Sequence, residues 1–220
     1  EHREHKGGQA GDVASLPAVD LGVNVTVSQV ACGDCHTCVV VASAGGVESG
    51  LVKCWGCGAQ GQLGVGFVSN VGGEAGDMGA NLVAANAGLD PAVSVLCVGD
   101  YSCYVSVAGD LYCWGSASWF DGPVASPVRV ALSFEVAGVS CGVSHCCALD
   151  PGGVVRCWGD GTYGQLGVED GSRAPEAAEL VAALLGATVY DVVVGDSFSC
   201  AIRPRGLECW GQRKAQQQEV

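Results

Sequence analysis

The sequence is poor in cations. Ten lysines and arginines stand against 23 aspartates and glutamates, for a net charge of −13. Such a surface repels phosphate, which argues against nucleic acid and favours a basic protein face or cations as partners. Charged residues of both signs reach only 15% while hydrophobic ones reach 49%, so the composition is not that of a disordered tail. No apolar run reaches the roughly 18 residues of a membrane-spanning helix, and the chain is not expected to be transmembrane. Histidine is scarce at four residues, two of them, His2 and His5, in a polar stretch at the start. That pair could share a metal on one helical face, but polar termini are more often unstructured. No Gly-x-Ser-x-Gly elbow is present and the carboxylates form no recognisable pair, so no catalytic residue is assigned and an enzyme is not expected. No targeting segment is expected within the sequence, which starts at Glu1.

What the chain has instead is glycine and cysteine, 35 and 14 residues, and both recur in register. Four copies of one core appear: Lys53-Cys54-Trp55-Gly56, Tyr112-Cys113-Trp114-Gly115, Arg156-Cys157-Trp158-Gly159 and Glu208-Cys209-Trp210-Gly211. Their tryptophans are 59, 44 and 52 residues apart, and of five tryptophans only Trp119 falls outside the pattern. Upstream of each core stands a second piece. It reads Cys32-Gly33-Asp34-Cys35-His36-Thr37-Cys38, then Gly99-Asp100-Tyr101-Ser102-Cys103, Cys141-Gly142-Val143-Ser144-His145-Cys146-Cys147 and Gly195-Asp196-Ser197-Phe198-Ser199-Cys200. Two copies also keep a tail, Gly61-Gln62-Leu63-Gly64 and Gly164-Gln165-Leu166-Gly167.

These short runs of Val, Cys and Tyr bounded by glycine read as strands. Gly45-Gly46, Gly109-Asp110 and Gly152-Gly153 supply turns, so a hairpin joins each upstream cysteine to its Cys-Trp-Gly. Cross-strand neighbours in a hairpin sit close enough for a bridge. The spacing therefore predicts Cys38–Cys54, Cys103–Cys113, Cys147–Cys157 and Cys200–Cys209. The alternative is four coincident pairs of buried thiols. Cys32, Cys35, Cys57, Cys97, Cys141 and Cys146 are left over. Cys32 and Cys141 occupy equivalent repeat positions, Cys97 reads as shifted by one, and the connectivity of the six stays open. So many staples imply an oxidising compartment, secreted, periplasmic or lumenal. The sequon Asn24-Val25-Thr26 agrees with a secretory route. Ala174–Gly186 carries Pro175 and Glu176 ahead of an Ala/Leu-rich body and is expected to be a short inserted helix. Val65–Pro91 is expected to be a long insertion with no repeat counterpart.

The order of glycine, His-Thr or a substitute, a hydrophobic pair, a turn, hydrophobic-x-Trp-Gly and then Gly-Gln-Leu-Gly resembles the regulator of chromosome condensation repeat. The resemblance covers about residues 27–213. It implies an all-β fold, a propeller of about seven four-stranded blades in the complete family form. Only four copies are present, so a partial or small β-propeller of about four blades is expected, with repeats over 27–92, 93–133, 134–187 and 188–213. An extension over 1–26 and a polar tail over 214–220 flank them. The second copy lacks Gly-Gln-Leu-Gly and reads Ser116-Ala117-Ser118-Trp119-Phe120.

Several motifs have a second reading that the repeat absorbs. Cys32-Gly-Asp-Cys35-His36 spells a haem-attachment pattern, with Met78 as a conceivable second ligand, but His36 holds a repeat position that His145 also holds. Cys32, Cys35, Cys54 and Cys57 have zinc-ribbon spacing, but Cys54 is claimed by the staple. Two Gly-x-Gly-x-x-Gly matches, at Gly56 and Gly159, precede Gln-Leu-Gly and not a helix that could face a pyrophosphate. No cofactor or metal is assigned. Trp55, Trp114, Trp158 and Trp210 are read as blade-packing residues, not as the light-sensing cluster of an ultraviolet-B photoreceptor that the family also contains. The expected function is a non-enzymatic protein-binding scaffold or accessory subunit on the extracytoplasmic or lumenal side of a membrane; a photosynthetic complex is one example. Its partner would complete or cap the blade arc, with Phe67, Trp119, Phe120 and Leu180 as contact candidates. The alternatives are a secreted propeller inhibitor or ligand-binding protein and, by the family's founder, a guanine-nucleotide exchange factor.

Overall fold

Four antiparallel sheets follow one another along the chain, each folded from one copy of the repeat. The computed structural model describes residue 14 and residues 16–42, 49–168, 181–182 and 188–212. Blade 1 holds β1 (Thr26–Cys32), β2 (His36–Ala42) and β3 (Val52–Gly56). Blade 2 holds β4 (Ala92–Val98), β5 (Tyr101–Ser106), β6 (Leu111–Gly115) and β7 (Val124–Arg129). Blade 3 holds β8 (Gly138–Cys141), β9 (His145–Leu149), β10 (Val155–Gly159) and β11 (Val181–Ala182). Blade 4 holds β12 (Asp191–Val194), β13 (Phe198–Arg203) and β14 (Gly206–Gly211). The order within each sheet is the order in sequence, so every blade is a meander. The fold is an all-β, partial propeller.

Successive blades stack face to face: β4 packs on β1 and β2, and β12 on β8 and β9. Each blade thus has an incoming face, turned to the blade before it, and an outgoing face, turned to the blade after it. The core lies in these seams. One cluster joins Val40, Val52 and Leu63 to Val95, Tyr104 and Trp114. A larger one runs from Tyr101 and Leu111 through Trp158 and Leu166 to Val192 and Ala201.

Each Cys-Trp-Gly strand pairs with its upstream cysteine in direct register: Cys38↔Cys54, Cys103↔Cys113, Cys147↔Cys157 and Cys200↔Cys209. All four pairs are disulfides, and Cys35–Cys57 and Cys141–Cys146 are two more. Cys32 and Cys97 are free. The glycine after each tryptophan has φ between 98° and 110°. That left-handed conformation lets the strand end pass the backbone before the upstream strand.

Three expectations change. Within Ala174–Gly186, Val181–Ala182 is a strand paired with Arg156 and Cys157. The open edge of β10 offers unpaired main-chain groups, and filling them outweighs the local helix preference; the rest of that stretch lies outside the described residues. The insertion over residues 65–91 does have a role in the repeat, because Val71 bridges Gly56 and Ala84 bridges Lys53 along the outer edge of β3. Cys97 is not shifted. It faces Ser102 as Cys32 faces Thr37, Cys141 faces Cys146 and Val194 faces Ser199. The Gly45-Gly46 turn lies outside the described residues, as do Leu180, His2 and His5. Of the amino-terminal extension, Leu21 is anchored on blade 1: its carbonyl accepts the buried Lys53 ammonium at 2.7 Å.

Candidate functional site

A buried hydrogen-bonded group spans the seam between blades 1 and 2. His36 Nε2 lies 2.7 Å from Ser102 Oγ across the seam. The Ser102 hydroxyl donates to the main-chain carbonyl of Gln62 at 3.0 Å, and the Trp114 indole N–H donates to the same carbonyl at 2.8 Å. With the serine proton committed to the carbonyl, the imidazole carries its own proton on Nε2 and donates it. The seam between blades 3 and 4 repeats this. His145 Nε2 is 2.8 Å from Ser199 Oγ, and Ser199 and Trp210 donate to the Gln165 carbonyl at 3.0 and 2.9 Å. The Gly-Gln-Leu-Gly tail is thus an acceptor presented to the next blade. Its glutamine side chain fixes the loop by accepting the main-chain N–H of Gln60 or Tyr163, and its leucine, Leu63 or Leu166, is fully buried.

The seam between blades 2 and 3 lacks that tail and is built differently. Tyr101 takes the histidine position and donates to the Gly142 carbonyl at 2.7 Å. Cys146, bonded to Cys141, takes the serine position. The Trp158 indole N–H is buried without a partner among the described residues. Trp119 fills the gap, its ring 5.0 Å from Tyr101 and 6.3 Å from Trp158, both edge-on. Trp119 and Phe120, expected as contact residues, are therefore half-buried in this seam, whereas Phe67 is exposed. The zinc-ribbon set is not assembled, since three of its four cysteines are spent in Cys35–Cys57 and Cys38–Cys54.

Burial sets the charge state of both lock histidines. It lowers the pKa of His36 against the opposing pull of Asp100 and Asp34, and it lowers that of His145 to about 4 against Asp160. Both imidazoles are neutral near pH 7, as a buried donor should be. Burial also pushes the free Cys97 thiol up to about 11.

The outgoing face of blade 4 breaks the pattern of closed seams. In blades 1 to 3 the two outgoing positions beyond the staple are Val40 and Val52, Val105 and Leu111, and Leu149 and Val155, none more than 8% exposed. In blade 4 they are Ile202 and Leu207, 45% and 65% exposed. Val193 on the same face is also exposed, Cys200–Cys209 is half-buried, and Phe198 stands in the histidine position. The sequence could not show this face, because its residues are as apolar as those of the closed seams.

The regulator of chromosome condensation (RCC1) repeat is matched at residues 136–165 and again at 153–202. The human E3 ubiquitin-protein ligase HERC2 is 31% identical over 193 residues, which are 81% of this chain and 4% of that protein. Among solved structures, human WBSCR16 superposes with a TM-score of 0.68 at 22% identity, over 85% of this chain and 47% of that one. Yeast RCC1 (Prp20), solved bound to Kap60, superposes with a TM-score of 0.66 at 20% identity, over 88% and 45%. The chain spans less than half the length of each of these proteins. With the repeated lock, the stapled hairpins and these matches together, the chain belongs to the regulator of chromosome condensation repeat family.

Proposed function

We propose that this chain is a non-enzymatic protein-binding scaffold whose working surface is the outgoing face of blade 4, an accessory subunit of a larger assembly on the extracytoplasmic or lumenal side of a membrane. The observation that carries it is the exposure of Ile202 and Leu207, whose counterparts in three other blades are buried. The occupant that fits is a further blade-type sheet. Each closed seam meets this face with an apolar strand bearing a hydroxyl or sulfur at the lock position, namely Ser102, Cys146 or Ser199. With Phe198 in the histidine position, the new seam would rest on apolar contact and not on a lock hydrogen bond. Yeast Prp20, of the same fold, is solved with a protein partner, Kap60. Six disulfides support the oxidising compartment, since glutathione and thioredoxin keep cytosolic thiols reduced. Among the described residues no helix is long and apolar enough to cross a membrane.

The surface is tested by comparing partner recovery by the chain with that by Ile202→Glu and Leu207→Glu, using Phe67→Glu as an exposed control. Loss in the first two and retention in the third is expected. Equal recovery by all three would overturn the assignment of the surface. The compartment is tested by thiol titration of the denatured, unreduced protein from its own source. Two free thiols are expected, Cys32 and Cys97; ten or more would place the chain in a reducing compartment.

A further inference from the structure

Cys97 is a free, buried thiol at a repeat position where blade 3 has a bonded cysteine, Cys141, and blade 4 a valine, Val194. It lies on the incoming face of blade 2, against the Cys38–Cys54 staple on the outgoing face of blade 1. Its sulfur is within 4.8 Å of that of Cys38, and His36 offers a ring nitrogen within the same distance. The Ser102 hydroxyl stands between them, 3.6 Å from the Cys97 sulfur and 3.7 Å from the Cys38 sulfur. Cys38 and Cys54 are fully buried and Cys97 nearly so, so no external thiol reaches this sulfur cluster. The equivalent position in the other lock is a control built into the chain. There His145, Ser199 and the Cys147–Cys157 staple recur, but Val194 replaces the thiol.

We propose that Cys97, Cys38 and Cys54 form a buried disulfide-exchange centre, in which the Cys97 sulfur displaces Cys54 from Cys38 and moves the staple from within blade 1 to the seam between blades 1 and 2. One S–S bond forms, Cys97 to Cys38, and one breaks, Cys38 to Cys54. The proton leaving Cys97 is taken up by the expelled Cys54 thiolate. Nothing is oxidised or reduced overall, so no outside oxidant or reductant enters. The Ser102 O–H, which donates to the Gln62 carbonyl while Cys97 is a thiol, turns to the attacking sulfur 3.6 Å away once that sulfur ionises and stabilises its thiolate; His36 Nε2 holds the Ser102 oxygen in place. Because burial keeps the Cys97 thiol protonated near neutrality, exchange is slow there and its initial rate climbs about tenfold per pH unit between 7 and 9. The product ties two blades covalently and leaves the blade 1 hairpin without its staple.

The test incubates the native, unreduced chain at pH 7, 8 and 9, quenches it in acid, alkylates the thiols under denaturation and maps the disulfides by mass spectrometry. The expected result is a Cys38–Cys97 link that appears together with alkylated Cys54, sooner at higher pH. Cys97→Ser should leave Cys54 unalkylated at every pH. Val194→Cys should transfer the behaviour to blade 3, with a new link to Cys147 and alkylated Cys157. Retention of Cys38–Cys54 alone after prolonged incubation at pH 9, with folding verified by tryptophan fluorescence, would overturn the proposal. So would alkylated Cys54 appearing equally in Cys97→Ser.

Discussion

Trp114 and Trp158 occupy the same position in successive blades, both fully buried, yet among the described residues only Trp114 has an acceptor for its indole N–H. Removing an N–H that is bonded should cost more than removing one that is not. Trp114→Phe is therefore expected to destabilise the chain by about 1 kcal/mol more than Trp158→Phe, measured as paired denaturant midpoints. His145 gives a second residue-level prediction. Its folded pKa, about 4, lies below the ordinary histidine value of 6.5, because burial disfavours the charged ring. Above pH 6.5 both folded and unfolded states hold it neutral and its contribution to the pH dependence is nil. Between 6.5 and 4 the unfolded chain binds a proton that the folded one refuses, so stability falls as pH falls, by on the order of 3 kcal/mol across the window. His145→Phe, which places there the ring that blade 4 already uses, should flatten the fall measured in melting temperature between pH 7.5 and 5. Part of the slope should remain, because His36 is shifted in the same direction. At this scale the sequence was informative about the cysteines that recur and silent about the hydroxyls that close the seams. The staple pairs were readable from hairpin spacing. The role of Ser102 and Ser199 was not: both stand between an aromatic residue and the staple cysteine, but the histidine and carbonyl that they bond come from the blade in front.

At the scale of the element, the glycine of each Trp-Gly is both a conformational and a steric requirement. Gly159 and Gly122 have nearly the same φ, 106° and 105°, but a Cβ on Gly159 would lie 2.5 Å from the Ser144 carbonyl oxygen, while one on Gly122 meets nothing within 4 Å. Gly122→Ala should thus report the left-handed conformation alone, about 1–2 kcal/mol, and Gly159→Ala that strain plus a backbone clash. A clearly larger fall in melting temperature for Gly159→Ala is expected; equal falls would mean that the β9–β10 strand ends move apart without cost. The same contrast between local and tertiary demands explains which elements were legible. Hairpins were, because turn glycines and paired cysteines are close in sequence. The outer edge strands were not: β11 lies in a stretch with helix preference, and Val71 and Ala84 lie in what reads as an insertion. Their conformation is set by the open edges of β10 and β3, which no local window contains.

For the whole molecule, stability is the sum of blades and of the seams between them, as in other repeat architectures. Blades 2 and 3 have both faces covered and share the larger core cluster. Blade 4 has its outgoing face exposed and three described strands. Its staple constrains the hairpin in the unfolded state but adds no burial on that face. Local opening should then cost least at blade 4 and most in the middle of the arc. Amide hydrogen exchange on the isolated chain is expected to find β5, β6, β9 and β10 slowest and β13 and β14 fastest, although all six strands belong to stapled hairpins. Filling the open face with a blade-type partner would bury Ile202 and Leu207 and slow β13 and β14 selectively, since only that seam would be new. Uniform protection across all four blades in the isolated chain would instead mean that blade 4 is held as firmly as the closed seams, and the exposed face would lose its standing as an unfinished interface.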